Sequence, residues 1–308
     1  LPTKSDVDVV IGLGAFYECA SLSSYSTHRR GGMFGLDTST ITGINFDRVI
    51  EIGDYAFAGC ETLTSVSLPV ATIIGQYAFT NANSLSSVSL SAVESIGVGA
   101  FINTSLSSIT LPNTIDYIGA GAFAGLGLTI SFRGTLTSEN LIIESLSDGN
   151  YVIYNTLGDG SYELVHYPIN TTATSYSVKS GASSIGAFTF YGATNLIRLT
   201  LPASVKYIGH AAFYNCSALS TVVFSGSTAP ALLAEYSSSS DELYCNFVDY
   251  ASNVSGLTLY VGSDSVKSSF ASNLNWASFF STIKVSTSID VEDPDATIES
   301  FQEAMEDF

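Results

Sequence analysis

Hydrophobic residues recur along this chain in a short motif at a regular interval. The motif is the hexapeptide Ile-Gly-x-x-Ala-Phe, which opens at Ile11, Ile52, Ile74, Ile96, Ile118 and Ile208, with the variant IGAFTF at Ile185. Between Ile52 and Ile118 successive motifs start about 22 residues apart, a spacing typical of stacked repeats. The distance from Ile118 to Ile185 is close to three more such steps. This regularity indicates a solenoid, in which each turn buries its apolar face against its neighbours.

A second motif, Leu-x-x-apolar-x-apolar, alternates with the hexapeptide. It starts at Leu63, Leu85, Leu106, Leu196 and Leu219. Its alternation of apolar and polar residues predicts one short strand per repeat, with Val66 and Leu68 facing inward. Ser65 and Ser67 then point to the opposite face. A Pro follows the motif at Pro69, Pro112 and Pro202. Because Pro has no N–H to donate, we expect it to end strand pairing.

The Gly and the Phe of the hexapeptide have separate predicted roles. We expect the Gly to turn the chain by adopting backbone angles that a side chain would forbid. The equivalent Phe57, Phe79, Phe101 and Phe123 should stack in one column, with neighbouring strands about 4.8 Å apart. The sequence therefore predicts a mainly β fold: a single leucine-rich-repeat solenoid, wound as a right-handed superhelix, with little helix and a short C-terminal capping helix.

Segments that depart from the repeat spacing divide the chain into three predicted regions. Residues 1–50 hold the first repeat, lengthened by a loop insertion over residues 20–42. Residues 51–285 form the predicted solenoid, which includes an irregular insert at residues 130–184. Residues 286–308 are an acidic tail, which we interpret as a solvated linker or frayed end.

The last repeat needs a cap, because a terminal rung would otherwise expose its apolar face. The cap is predicted at residues 257–285, where Leu257–Val261 is the expected last strand. Ser263 or Asp264 is expected to cap a short helix that runs through Phe270. The aromatic cluster expected to cover the final rung follows it, at Trp276, Phe279, Phe280 and Ile283.

These motifs, with a Cys three residues after several of the hexapeptides, resemble the BspA-like leucine-rich repeats. The Cys residues are Cys19, Cys60 and Cys216. The irregular insert is similar to one that recurs in that family, where a strand pair and Tyr-Pro precede a degenerate rung: here YELVHYP and then SYSVKSGASSIGAF, with a hairpin turn at Gly158–Gly160. The closing segment is similar to the family's C-terminal unit, with Gly262 where Pro is usual and Phe270 where Tyr is usual.

The resemblance implies a function class but no residue-level site. Members of the family are surface or secreted proteins of Bacteroidetes, spirochaetes and gut Firmicutes. We therefore expect a non-enzymatic, extracellular or surface-anchored module that adheres to host or neighbouring-cell macromolecules, with the signal or anchor outside this chain. The alternative is a rigid spacer that displays another domain at the cell surface.

Charge narrows the range of partners. The chain has 28 acidic and 10 basic residues, a formal net charge of −18. This charge repels nucleic acids and anionic membranes. No apolar run approaches the roughly 18 residues that a membrane span needs, so membrane insertion within this chain is not expected. The expected partner is an extracellular protein or glycoprotein, and we expect a monomer.

The sequence carries no recognisable catalytic or metal-binding motif. Among the three histidines, His166 and His210 fall in ordinary strand and variable repeat positions, so we interpret both as surface or half-buried residues. There is no Gly-x-Ser-x-Gly elbow, H-E-x-x-H or C-x-x-C, and no enzyme activity, metal or cofactor is expected. The repeat cysteines are predicted to be buried apolar fillers. A disulfide between Cys19 and Cys60 stays open, and Cys245 has no evident partner.

The first candidate binding surface is the outward face of the strands. It comprises Ser65, Ser67, Ser87, Ser89, Ser108, Thr110, Arg198, Thr200, Thr221 and Val223. Of these, Ser65, Ser87 and Arg198 are the candidate binding residues. The exposed sheet of a solenoid is its usual contact surface for proteins or glycans. The alternative is a solvated strand face that binds nothing, and the aromatic platforms typical of carbohydrate recognition are missing from it.

The second candidate is the loop insertion in the first repeat. It concentrates basic and aromatic side chains in a chain that has few basic residues. The candidate residues are Tyr25, His28, Arg29, Arg30 and Phe34. Long loops often carry binding residues, although an insertion beside the first rung is equally consistent with an N-terminal cap.

Overall fold

The protein is almost entirely β-structure. The computed structural model describes residues 9–17, 44–45, 47–233, 235–236, 243–244, 257–273, 276 and 279–286. Within these residues the chain forms 23 strands and one helix, and the strands are two to six residues long. The mainly β solenoid predicted from the repeats is therefore confirmed.

Each N-terminal repeat contributes two strands, where the pattern predicted one. The Leu motifs and the segment before them form parallel strands β2 (Ile44–Asn45), β4 (Ser65–Leu68), β6 (Ser87–Leu90), β8 (Ser108–Pro112) and β10 (Thr129–Arg133). The residues around the hexapeptide Ile form a second parallel ladder of β1 (Val9–Ile11), β3 (Val49–Ile52), β5 (Ile73–Ile74), β7 (Ser95–Ile96) and β9 (Tyr117–Ile118). The two ladders lie on opposite sides of the core, and each repeat contributes one strand to each ladder.

Proline ends the strands only in part. Strand β4 stops at Leu68, before Pro69, as predicted. In β8, however, Pro112 is the last residue and lies in register with Arg133 of β10. The prediction that Pro precludes pairing is therefore wrong at Pro112, because a residue at the end of a parallel strand can lie opposite its neighbour without donating a hydrogen bond.

The hexapeptide Gly lets successive rungs approach each other. This corrects its predicted role in turning the chain, because Gly97 does not have the positive φ that Gly99 has. A Cβ at Gly97 would lie 2.5 Å from the backbone N of Gln76 and 2.5 Å from the carbonyl C of Gly75. The N–H of Gly97 also donates to the carbonyl O of Ile74 at 2.7 Å. The glycine is thus required by the spacing of the rungs.

The left-handed turn falls at the residue just before the Ala-Phe of the hexapeptide. Tyr55, Tyr77, Gly99 and Gly121 all occupy this position, with φ between 53° and 62°. It is one of the two variable positions of the motif. Because side chains rarely adopt this conformation, the packing around the following Phe must hold it in place.

The predicted phenylalanine column is present. The rings of Phe57, Phe79, Phe101 and Phe123 stack with centroids 5.2, 5.4 and 5.9 Å apart and interplanar angles of 3°, 4° and 11°. Phe16 extends the column by one ring, 5.0 Å from Phe57. Each of the four central rings is at most 1% exposed. The column therefore runs through every N-terminal rung.

The irregular insert forms a three-stranded antiparallel meander. Its strands are β11 (Leu141–Ser145), β12 (Tyr151–Thr156) and β13 (Tyr162–His166). The predicted hairpin turn is confirmed, because the Leu157 N–H donates to the Ser161 carbonyl O at 2.8 Å and Gly160 has a φ of 81°. Strand β11 was not predicted.

The meander separates two hydrophobic cores. Ile153 and Val165 pack into the N-terminal core, whereas Val152, Tyr154 and Leu164 pack into the C-terminal one. Because alternate residues of β12 point to opposite faces, both faces of this strand are buried. The meander thus lies inside the molecule, between the two hydrophobic cores.

The buried side-chain amide of Asn155 links strand β9 of the N-terminal ladder to the meander. The Asn155 Nδ2 donates to the carbonyl O of Ile118 at 2.8 Å, and the Ile118 N–H donates to Asn155 Oδ1 at 3.5 Å. Asn155 is 3% exposed. Its side chain therefore takes the place of the next strand beside β9.

Replacement of Asn155 by Ala should lower the free energy of unfolding by about 2 kcal/mol, because it leaves the buried N–H and carbonyl of Ile118 without partners. Urea denaturation measures the change. Asn113→Ala is the matched control, since Asn113 is exposed and its side chain makes no hydrogen bond within the described residues. The Asn113→Ala substitution should lower the free energy of unfolding by at most about 0.5 kcal/mol, as most surface substitutions do. Equal effects of the two substitutions would contradict the bridging role.

Both ladders restart after the meander. The sheet that continues the Leu motifs contains β14 (Ser175–Ser177), β16 (Arg198–Leu201), β18 (Thr221–Phe224), β22 (Thr258–Val261) and β23 (Thr282–Val285). The ladder that starts at β13 contains β15 (Ala182–Ile185), β17 (Tyr207–Ile208) and β19 (Ala231–Leu232). A separate antiparallel pair is formed by β20 (Glu235–Tyr236) and β21 (Leu243–Tyr244).

The C-terminal cap follows the predicted order of elements. Helix α1 (Asp264–Ala271) begins after Ser263, whose side chain accepts a hydrogen bond from the Val266 N–H. Phe270, Trp276 and Phe280 are buried against one another, and the Trp276 Nε1 donates to the carbonyl O of Pro230 at 2.7 Å. One expectation is wrong: β22 is not the last strand, because β23 pairs with it in parallel.

Candidate interaction surfaces

The hydroxyl face exists in the N-terminal half. Ser65 lies in register with Ser87, and Ser67 with Ser89. The two residues of β6 are exposed and the two of β4 are half-buried, while Val66 and Leu68 are buried beneath them. The exposed hydroxyl positions continue along the next two strands, at Ser108, Thr110, Thr129 and Ser131. The structure thus brings Ser65 and Ser87 together, and their role in binding stays a prediction.

In the C-terminal half two of the predicted outward residues, Thr200 and Val223, are buried, which corrects the prediction of a continuous face. Thr200 is 8% exposed and Val223 only 2%. These residues share one row with Tyr260 and Lys284, and the Lys284 Nζ lies 5.6 Å from the centroid of the Tyr260 ring. Large side chains flank the small ones in this row, whereas the equivalent residues Ser67, Ser89, Thr110 and Ser131 of the N-terminal half are all small.

Arg198 belongs to this second sheet and lies apart from Ser65 and Ser87. Its guanidinium is half-buried, and burial lowers the pKa of Arg198, partly opposed by Tyr260. The structure therefore does not combine the three candidate residues in one site.

The second candidate surface falls outside the described residues. Its residues are Tyr25, His28, Arg29, Arg30 and Phe34. The same holds for Cys19, Cys245 and the acidic tail beyond residue 286. Their predicted roles stay predictions.

A row of outward side chains on the other ladder was missed by the sequence analysis. It is formed by the residue immediately before each hexapeptide Ile, and Tyr117 and Tyr207 are 41% and 45% exposed in it. On the C-terminal side, Glu163 of β13 lies in register with Ser184, and Ser184 with Tyr207. The signal was present in the repeat, as the variable position at which aromatic residues appear beside the fixed Ile.

Glu163 is the unusual member of this row. Its carboxylate is half-buried and has no hydrogen-bond partner among the described residues. Burial raises the pKa of Glu163. Burial also raises the pKa of Tyr117, with a further contribution from the charge of Glu163. The carboxylate lies beside the turn that follows β9, because a Cβ built at Gly186 would be 3.3 Å from Glu163 Oε1 and 2.4 Å from the Cβ of Ala120.

The two described cysteines, Cys60 and Cys216, have structural roles. The Cys216 Sγ donates to the carbonyl O of Phe190 at 3.0 Å, and the Cys60 Sγ to that of Phe16 at 3.1 Å. Burial raises the pKa of the Cys216 thiol to about 12. Cys60 is present as a thiol, so the predicted filler role is supported and the disulfide interpretation is not.

His166 is buried, which corrects its interpretation as a surface or half-buried residue. It stands edge-on at the end of the phenylalanine column, 5.9 Å from Phe123, and its Nε2 atom has no hydrogen-bond partner in the described part of the chain. Burial lowers the pKa of His166 to about 4. The neighbouring Tyr167 begins a second aromatic column with Phe190 and Phe213.

Acid should destabilise the protein through His166. Between the pKa of an unfolded histidine, about 6.5, and the native value near 4, the unfolded chain binds the extra proton and the native chain does not. The contribution is therefore complete above pH 6.5 and lost as the pH falls, by about 3 kcal/mol in all. Urea denaturation at pH 7.5 and 4.5 should show a smaller loss for His166→Phe than for the parent chain. An equal loss in both would contradict the assignment.

The described part of the chain contains neither a candidate metal site nor a helix suited to span a membrane. No group of three or more His, Cys, Asp or Glu residues there is arranged to hold a metal ion. Nor does any helix in these ranges have the length and apolar character needed to cross a bilayer.

The two-ladder rung and its motifs define a leucine-rich-repeat solenoid. A family model described as BspA type leucine rich repeat region matches six copies over residues 31–140 and 169–240, more than half of the chain. The chain belongs to the BspA-type leucine-rich repeat family. No curated protein matches it.

Solved structures of leucine-rich proteins are similar at low identity. A leucine rich cell surface protein from Faecalibacterium prausnitzii matches 92% of this chain and 84% of its own, at 20% identity and a TM-score of 0.43. A leucine-rich repeat protein from Eubacterium ventriosum matches 79% of this chain and 72% of its own, at 20% identity and a TM-score of 0.48. The pneumococcal vaccine antigen PcpA matches 78% and 71%, at 19% and 0.46.

Proposed function

We propose that this chain is a non-enzymatic adhesion module, exposed outside the cell, that binds a host or neighbouring-cell protein or glycoprotein through the hydroxyl face of its N-terminal repeats. Membership of a leucine-rich-repeat family supports a role in protein interaction. The observation that carries the proposal is the even, uncharged row of exposed hydroxyls on β6 and β8. Short side chains on a packed sheet lose little conformational entropy when a partner covers them.

The described reactive groups do not favour catalysis. Cys216 is buried, and its thiol has a pKa of about 12, so it is not ionised at neutral pH. His166 is buried beside Phe123 and cannot reach a substrate. Leucine-rich-repeat proteins are typically non-enzymatic, in agreement with these environments.

The proposal is tested by binding of the whole chain to immobilised extracellular-matrix proteins and mucin. Thr110→Arg places a long charged side chain in the centre of the hydroxyl face and should weaken retention about tenfold or more. Ser147→Arg is the matched control, because Ser147 is exposed in the turn between β11 and β12, and it should leave binding unchanged.

Other outcomes of this assay would overturn the proposal. Equal binding by Thr110→Arg and the control would remove the hydroxyl face as the site. If scrambling residues 25–34 abolished binding while Thr110→Arg did not, the loop insertion would be the contact surface instead. A chain that binds no member of the panel would argue against adhesion.

A rigid spacer is the second candidate function, favoured by the unbroken stack of rings from Phe16 to Phe123. A spacer needs length and stiffness but no particular surface. Display of a reporter domain on cells should then survive Thr110→Arg and should depend on the number of rungs. Loss of display with Thr110→Arg in a folded chain would argue against the spacer.

A further inference from the structure

The row on the second ladder has the chemistry of a cation site. Glu163, Ser184 and Tyr207 follow one another across β13, β15 and β17. Tyr117 lies in β9, the last strand of the N-terminal ladder, and Ala120 just after it meets the same Gly186 position as the Glu163 carboxylate. Adjacent strands are about 4.8 Å apart, so Glu163 is about 10 Å from Tyr207. The carboxylate thus lies near the end of β9, which carries one exposed ring, and within reach of a second ring along its own row.

The Glu163 carboxylate is partly shielded from solvent, and no described residue compensates for this with a hydrogen bond. Glu163 is half-buried and accepts no hydrogen bond from the described residues. Lys206, which precedes Tyr207 in the chain, makes no contribution to the raised pKa of Glu163, whose cause is burial. The pKa of Asp159 is instead lowered, first by Ser161 hydrogen bonds and further by the charge of Lys206. A partly desolvated anion of this kind gains more from a cation than from a neutral hydroxyl group.

Tyrosine rings add a second attraction for the same kind of group. A Lys or Arg side chain over a Tyr face is held by the ring quadrupole, and its apolar stem packs on the ring. The net charge of −18 steers basic segments toward the protein and disfavours anionic glycans. Charge complementarity therefore points to a basic protein segment.

We infer that the strip formed by Tyr117, Glu163, Ser184 and Tyr207 binds a basic segment of a partner protein, with a Lys or Arg side chain held between the Glu163 carboxylate and the Tyr117 ring. The inference rests on the proposed function only in requiring a protein partner. It assigns a surface on the ladder opposite the hydroxyl face.

The test is calorimetric titration of the whole chain, at 150 mM salt, with an acetylated and amidated (Lys-Ser)3 peptide. Hexaserine is the neutral probe, and chitotriose is the sugar probe. Glu163→Gln should weaken peptide binding about tenfold, and Tyr117→Ala about fivefold. Tyr117→Phe keeps the ring and should bind as the parent does. Urea midpoints of all variants confirm that they are folded.

Glu94→Gln separates a local site from bulk attraction. Glu94 is exposed next to the same ladder, and its replacement removes the same charge as Glu163→Gln. It should change affinity less than twofold. Equal losses in the two variants, or no binding of the peptide to the parent chain, would overturn the inference. So would chitotriose binding that depends on Tyr117 in place of peptide binding. No matrix protein enters this titration, so its failure leaves the adhesion proposal standing.

Discussion

Phe101→Ala should lower the free energy of unfolding by about 4 kcal/mol, as expected for loss of a large side chain in a packed core. Phe101 is fully buried, and its ring stacks on Phe79 at 5.4 Å and on Phe123 at 5.9 Å. The substitution removes both contacts and leaves a cavity that backbone ladders on two sides prevent from collapsing. Urea or thermal denaturation measures the loss.

Phe16→Ala is the matched control for this prediction. Phe16 ends the column, is only partly buried, and stacks on Phe57 alone within the described residues. The same substitution should therefore cost about 1 to 2 kcal/mol. If both variants lost the same stability, continuity of the column would not be what the interior rings contribute.

Gly97→Ala should cost about 3 kcal/mol, although it adds only one methyl group. The new Cβ would meet the backbone of Gly75 and Gln76 at 2.5 Å. Backbone atoms cannot move aside as a flexible side chain can, so two rungs must separate. The ladder hydrogen bond from the Gly97 N–H to Ile74 would lengthen with them. Denaturant midpoints report the total cost.

Two other glycines separate steric crowding from backbone conformation. Gly158 has nothing within 4 Å of its added Cβ and no positive φ, so Gly158→Ala should be neutral or slightly stabilising. Gly160 has the same open space but a φ of 81°, so Gly160→Ala should cost about 1 kcal/mol. The expected order of loss is Gly97, Gly160, Gly158. A Gly97 variant as stable as the Gly158 variant would disprove close contact between rungs.

The solenoid and the aromatic column could be predicted because the same residue types recur at the same positions of every regular repeat. Once Phe57, Phe79 and Phe101 occupy one position in the period, parallel stacking follows. The distance between neighbouring repeats, however, cannot be predicted from the sequence of one repeat. The crowding at Gly97, and the second ladder with strands as short as Ile73–Ile74, both arise from backbone proximity that a pattern of residue types does not express.

The insert explains most of the remaining differences. Its meander breaks the period, so nothing in the repeat predicts that Asn155 bridges to Ile118 or that His166 ends the column of rings. Glu163 and Tyr117 lie far apart in the chain, and only this meander brings the Glu163 carboxylate to the turn that follows β9. The exposed hydroxyl positions were predicted correctly on β6 and β8, and wrongly at Thr200 and at Val223, where Tyr260 lies alongside.

The glycine contact between rungs also has a consequence for how such chains evolve. Every regular turn presents the same gap to the turn before it and the turn after it, as Gly75, Gly97 and Gly119 do. Duplication or deletion of a gene segment that encodes one whole turn therefore preserves every interface. An insertion of any other length displaces the glycine and must be looped out. Homologous genes should differ in size by multiples of one turn.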